Sequence, residues 1–361
     1  MKPMPNRAIR IVYFEASRAR LVSEALCPAG LRLAHEAGGQ VYLRTHWARG
    51  PHYDLVIGRY DEVPGRYLDA AYAIIRGWLE RNPSTASLPA DHEARSRRMA
   101  DAEQWHGPIE PPYADNSVML TADVRSAMWG SAALGQAAAV FHSDVLVDIA
   151  ELAAARQRSR AELILRAARL LASVGHMARE SDFAFWPTSL SAHARLFLTA
   201  HPSLRPTFEA AWDRLGPSIA IGDLMADGDA PADLATWIAA GARLAASVAR
   251  IQEDHREELV PIDVDNPLHI RETLGSDEAV TARLTALFDA DRHQAVVASP
   301  RHRRFRIGVN VMYEALAVAT LSPVERALAC YLIARAILTD FPGTAARARD
   351  AIAELAETAL A

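Results

Sequence analysis

The chain has 361 residues, 50% hydrophobic and 23% charged, a composition that excludes disorder for most of its length and leaves room for one large or two modest domains. Its formal net charge of −5 argues against nucleic acid as a partner, because no basic surplus is present to displace counterions from a phosphate backbone. The two cysteines, Cys27 and Cys330, stand far apart in apolar stretches and suit buried, reduced thiols of a cytoplasmic protein.

The N-terminus "MKPMPNRAIRIVYFEA" lacks the order of a secretory signal, and no apolar run is expected to span a bilayer. Residues 8–14, "AIRIVYF", read as a strand, and "RARLVSEALCPAGLRLAHEAGG" reads as a helix closing at Gly38-Gly39. Next, "VYLRTHWARGPHYDLVIG" (41–58) predicts two strands around a Gly-Pro turn, with His46, Trp47, Arg49, His52 and Tyr53 crowded about its tip. A helix over 68–82 follows. This order predicts an α+β fold: a small N-terminal ferredoxin-like sheet domain with helices on one face, then a larger, mostly helical C-terminal region.

Residues 82–117 mix proline, glycine and charge without periodicity and read as a long irregular connection, a kind uncommon without a purpose. Beyond it, helical patterns cover 146–179, 190–200, 205–215, 231–257, 277–290, 307–321, 323–339 and 343–360, punctuated by prolines at their boundaries. Ser322-Pro323-Val324-Glu325 has the pattern of a capping box with proline at the first helical position. The expected division is 1–120 for the sheet domain, with its long loop and a leader-binding role, and 121–361 for the helical region that completes a cleft.

Common catalytic signatures are missing: there is no P-loop, no Gly-rich dinucleotide turn, no paired cysteines and no HExxH. "WGSAALG" (129–135) matches a nucleophile elbow only loosely. His142 with Asp144, or His52 with Asp54, would need a third ligand to hold a metal.

Three segments in one order carry a resemblance. "VYLRTHWARGPHYDLVIG", "MWGSAALGQAAAVFHSD" (128–144) and "RIGVNVMYEALAVATLSPVERALACYLIARAI" (306–337) are similar to the strand-GPH-strand, "VFHxDS" and "HMxxN…LxPxER" stretches of the lantibiotic dehydratase C-terminal family. That family acts on ribosomally made peptides. Some members eliminate glutamate from glutamylated Ser or Thr, and standalone members of thiopeptide pathways join two dehydroalanines into a pyridine.

The departures from the pattern favour the second chemistry. Elimination calls for arginines that grip a carboxylate and a histidine that moves a proton. Here the corresponding strand reads Tyr53-Asp54-Leu55-Val56, Met128 replaces an arginine, and Arg306 replaces the histidine four residues before Asn310. Arg44, Arg49 or Arg304 could compensate. Pyridine formation depends instead on holding two alkenes together, an orientation effect of roughly 7–11 kcal/mol, and on proton transfers.

The resemblance therefore implies a leader-directed pyridine synthase needing no metal or organic cofactor. Its catalytic candidates are Tyr313, His52, His302, Arg306 and Asn310; Trp47, Tyr53, Trp129, Arg44, Arg303 and Arg304 are candidates for substrate binding. Arg306, Asn310 and Tyr313 fall on one helical stripe. The implied partner is a precursor peptide, leader plus dehydrated, azole-bearing core, with neither nucleic acid nor membrane involved.

Plainer readings stand beside these. Tyr313, Trp47 and Trp129 also suit a core, His52 a turn, and His142 and Asp144 a helix brace. The basic segment "SPRHRRFR" (299–306) is either a solvated loop or a patch for an acidic leader. A glutamate-eliminating subunit and a non-catalytic leader-binding partner remain the alternative functions.

Overall fold

The computed structural model describes residues 7–47, 49–58, 63–102, 109–122, 131–173, 186–219, 221–225, 231–254, 300–341 and 343. Trp129, the helix expected over 277–290 and, after residue 343, that expected over 343–360 lie outside them. The chain divides into two compact units, Met1–Arg158 with Glu314–Thr320, and Ser159–Tyr313 with Leu321–Ala361.

The first unit is built on a four-stranded antiparallel sheet in the order β2-β3-β1-β4, with β1 at Arg7–Val12, β2 at Val41–His46, β3 at His52–Ile57 and β4 at Val118–Ala122. This confirms the α+β class. Between β1 and β2 the chain passes through a short turn, a five-residue π turn at Val22–Leu26 and helix α1 (Cys27–Ala37), which ends on Gly38 at φ 63° as its left-handed cap. Helices α2 (Gly65–Arg81) and α3 (His92–Ala102) precede β4; α4 (Ala132–Asp144) and α5 (Leu146–Arg158) follow it.

Helices cover both faces of this sheet, rather than the one expected. Side chains alternate along a strand, so Val41 and Leu55 face α1. There Gly30 lets the helix approach closely: a Cβ at that position would stand 3.1 Å from Leu55 and 3.0 Å from Leu146. On the other face, Ala8, Tyr42 and Val56 pack with Ala139 of α4. Ser143, also on α4, accepts a hydrogen bond from the Val41 amide at 3.4 Å and so covers part of the β2 edge.

The second unit is helical among the described residues: α6 (Arg160–Ala172), α7 (Trp186–Ala200), α8 (Arg205–Leu215), α9 (Ala235–Asp254), α10 (Pro300–Val318) and α11 (Pro323–Asp340). The last residues of α10 are counted with the first unit. Ile164, Leu198, Phe208, Leu215, Leu328 and Leu332 form a core joining α6, α7, α8 and α11. The stretch Ala232–Asp254 is long and apolar enough to cross a membrane by length and composition, with mean hydropathy 1.2, where the sequence reading expected no such run. Its Trp237, Leu244 and Val248 are buried, and 33% of that stretch is buried in all.

Candidate functional site

The hairpin of β2 and β3 pairs His46 with His52, Thr45 with Tyr53 and Arg44 with Asp54, while β1 places Arg10 on the far side of Asp54. Three strands therefore carry a row Arg10, Asp54, Arg44 on one face. Asp54 is buried and takes a bidentate pair from Arg10, Nε to Oδ1 and Nη2 to Oδ2, both at 2.8 Å. Such a fork matches a carboxylate's geometry, and removing one partner would leave a buried charge uncompensated. Arg44 is likewise buried and lies over the Tyr42 ring at 5.2 Å.

His52 sits beside this row, 2% exposed. Its Nδ1 lies 2.9 Å from the Gly50 carbonyl, which can only accept, so Nδ1 carries the proton and Nε2 the lone pair. Nε2 is 3.9 Å from Asp54 Oδ1, beyond hydrogen-bond reach, and has no hydrogen-bond partner among the described residues. Burial lowers the His52 pKa; the Asp54 charge opposes that and the Arg10 charge adds to it. The ring is thus a neutral base. His46 stands 5.6 Å from it and stacks on Trp47 at 5.0 Å.

Two left-handed residues, Arg49 at φ 62° and Gly50 at φ 90°, make the turn. Gly50 has no room for a side chain, because a Cβ would meet Phe14 at 3.0 Å. Across the tip lies the end of the long connection. The Tyr113 amide donates to the Arg49 carbonyl at 2.9 Å, the Arg49 guanidinium covers the Tyr113 ring at 4.0 Å, and that ring stands edge-on to His52 at 6.4 Å. The hairpin's polar and aromatic residues are therefore largely an enclosed network.

Strand alternation sorts the other hairpin candidates. Arg44, His52 and Trp47 gather on the face just described. Tyr53 points to the opposite face, 2% exposed, with its hydroxyl 3.5 Å from the Val318 carbonyl and its pKa pushed up to about 12 by burial. His142 is buried too, 3.9 Å from Glu314 and 6.2 Å from the Tyr42 ring, and no group of three metal-holding side chains occurs among the described residues.

In the second unit, Arg306, Asn310 and Tyr313 are all partly buried on α10. The Tyr313 ring stacks on His193 of α7 at 5.1 Å, and its hydroxyl lies 3.0 Å from Cys330 Sγ on α11. Arg326 Nη1 donates to the Tyr313 carbonyl at 3.3 Å. Burial, followed by the Cys330 interactions, raises the Tyr313 pKa well above its ordinary value. Burial, then the charges of Arg326 and Arg306, lowers His193 to about 4. At neutral pH the cluster thus offers a protonated phenol, an unprotonated imidazole and a positive field.

His193 and Arg326 escaped the sequence reading. "SAHARLF" has only helical periodicity, and Arg326 sits inside a capping pattern that explains itself without chemistry. Arg304 is partly buried and bonds Gln252 at 3.1 Å, tying α10 to α9. His302 and Arg303 lie in the first turn of α10.

The class that the architecture defines is one of fold: an antiparallel α+β sheet unit and a helical unit in one chain. The chain is similar to the solved pyridine synthase TbtD from thiomuracin biosynthesis, with TM-score 0.67 and 18% identity over 94% of this chain and 99% of that one. TsrL is similar with TM-score 0.57 and 15% identity, over 96% of this chain and 98% of that one. No family model matches the sequence, and no curated protein matches it. At these identities the likeness establishes the fold.

Proposed function

We propose that the protein is a pyridine synthase that acts on a leader-bearing, dehydrated, azole-containing peptide. The observation that carries this reading is the correspondence of fold with a pyridine synthase across 94% of this chain and 99% of the other. The strand that would grip a leaving carboxylate in an eliminase adds support. Tyr53, Asp54, Leu55 and Val56 are all buried, and the charge of Asp54 is already neutralised by Arg10.

In the reaction, an amide N–H proton of one dehydroalanine moves to its oxygen and creates a 2-azadiene. Two carbon–carbon bonds then form with the second alkene, water departs from the former amide carbon, and the leader departs as a carboxamide. No oxidant is needed. Within the second unit, Tyr313 is suited to protonate the departing hydroxyl and neutral His193 to accept the amide proton; within the first, neutral His52 is a separate candidate for proton transfer. Arg306 and Asn310 share the Tyr313 stripe and would hold carbonyl oxygens.

The test is incubation of purified protein with such a precursor, followed by mass spectrometry. Loss of water and of the leader is expected, and Tyr313→Phe should slow it roughly 10²–10⁴-fold. An unchanged mass with authentic precursor would overturn the reading.

One observation favours a second reading. Arg326 has no ion-pair partner among the described residues and joins Arg306 and neutral His193 around Tyr313, a set that could receive a departing glutamate. A glutamylated precursor that loses one glutamate per site would select that eliminase.

A further inference from the structure

We infer that residues 109–113 form a strap that closes over His52 and must lift before a peptide reaches its Nε2. The purpose rests on the proton-transfer role proposed for His52; the shielding stands on geometry alone.

The strap has one firm end. Asp115 Oδ1 accepts from the amides of Phe14 at 2.9 Å and Asn116 at 2.8 Å, and the Ser117 carbonyl accepts from Val12 at 2.9 Å, so the chain is fixed where β4 begins. Asn116, at φ 59°, sets the bend there.

Upstream, the fastening changes character. Ile109, Glu110, Pro111 and Pro112 are exposed, and Arg49 holds Glu110 and Pro111. Its Nε donates to the Pro111 carbonyl at 3.3 Å, its Nη1 pairs with Glu110, and its carbonyl and guanidinium hold Tyr113. Arg10 adds two contacts to Tyr113, Nη1 to the hydroxyl at 3.3 Å and the guanidinium over the ring at 5.6 Å. Exposed ion pairs are weak.

Pro111-Pro112 restricts φ twice and supplies no N–H, so this piece is stiff and cannot zip into the sheet. Tyr113 keeps its backbone bond to Arg49, whereas the exposed residues before it are clipped by the Arg49 side chain, so this stiff piece is built to hinge about Tyr113. Next to the Tyr113 ring, 6.4 Å away and edge-on, the buried His52 keeps an Nε2 lone pair with no hydrogen-bond partner among the described residues. One N–H donor, such as a peptide amide, would satisfy it.

The test compares wild type, Arg49→Ala and Arg49→Lys by diethyl pyrocarbonate modification mapped by peptide mass, with amide hydrogen exchange alongside. Exposed His35 serves as internal reference. In the wild type, His52 should react at least about tenfold more slowly than His35. Arg49→Ala should raise the His52 rate about tenfold and speed exchange across 109–113, with β1 and β3 still protected; Arg49→Lys should fall between.

Wild-type His52 reacting as fast as His35 would overturn the proposal. So would His52 that stays slow in Arg49→Ala while 109–113 exchanges freely, or a variant that loses protection in β1 and β3 as well. No readout depends on turnover, so failure here leaves pyridine formation standing, and absent turnover leaves the strap standing.

Discussion

Two imidazoles, His52 and His193, are kept neutral mainly by burial, with nearby guanidinium charge adding to it in each case. For His193 the consequence for stability has a definite sign. Its pKa is about 4 in the fold against an ordinary 6.5, so between those values the unfolded chain binds a proton that the native protein refuses. Stability from this group is complete above pH 6.5, falls as pH drops towards 4, and changes no further below that. The full shift corresponds to about 3 kcal/mol, reduced by solvent screening because the ring is only partly buried. Urea unfolding of wild type and His193→Gln from pH 7.5 to 4 should give a visibly shallower pH slope for the variant. Equal slopes would mean that His193 is not held neutral. The His52 contribution has the same sign in both proteins and cancels in the difference.

At the scale of elements, local chemistry explains which segments are legible in sequence. The Ser322 capping box forms as the pattern requires: Ser322 Oγ accepts from the Glu325 amide, and Glu325 Oε2 accepts from the Ser322 amide at 2.9 Å. Glu325 is buried and also pairs with Arg160 at 3.0 Å, which links the start of α11 to α6. Ser322→Ala should therefore cost about 1 kcal/mol, and Glu325→Ala more, because it removes the acceptor of both the Ser322 amide and hydroxyl and empties a buried position, while the exposed Arg160 stays solvated; thermal unfolding of both variants would rank them. The Gly38 cap and the first three strands were readable for similar reasons, each having its own turn or alternation. Strand β4 and helix α3 were not. Val118–Ala122 is short and, among the described residues, lies at the sheet edge and pairs with β1 alone, while His92–Ala102 is too polar to show an apolar stripe. The candidate site was legible as a set of residue types around the hairpin tip. Its geometry was not, because pairing across three strands sets Arg10 against Asp54, and because Tyr53 is separated from His52 by the pleat alone.

For the whole molecule, the unusual feature is where the first unit gets its last piece. Residues Glu314–Thr320 belong to it, although the rest of that unit ends at Arg158. Ala315, Leu316, Val318 and Ala319 are fully buried, the Val318 carbonyl faces the Tyr53 hydroxyl, and Glu314 stands by His142. Burying Leu316 and Val318 contributes roughly 1.5–3 kcal/mol each, a large share of the roughly 5–15 kcal/mol that usually holds a domain together. The sheet is thus finished by contacts of very long sequence separation, a condition that slows folding. Expressed alone, residues 1–158 should keep helical signal in the far ultraviolet but exchange the amides of β3 at least tenfold faster than the full chain. Their near-ultraviolet dichroism should weaken, since Tyr42 and Tyr53 are among the largest fully buried side chains. If β3 in that fragment proved as protected as in the intact protein, residues 314–320 would be passengers on the first unit rather than part of its core.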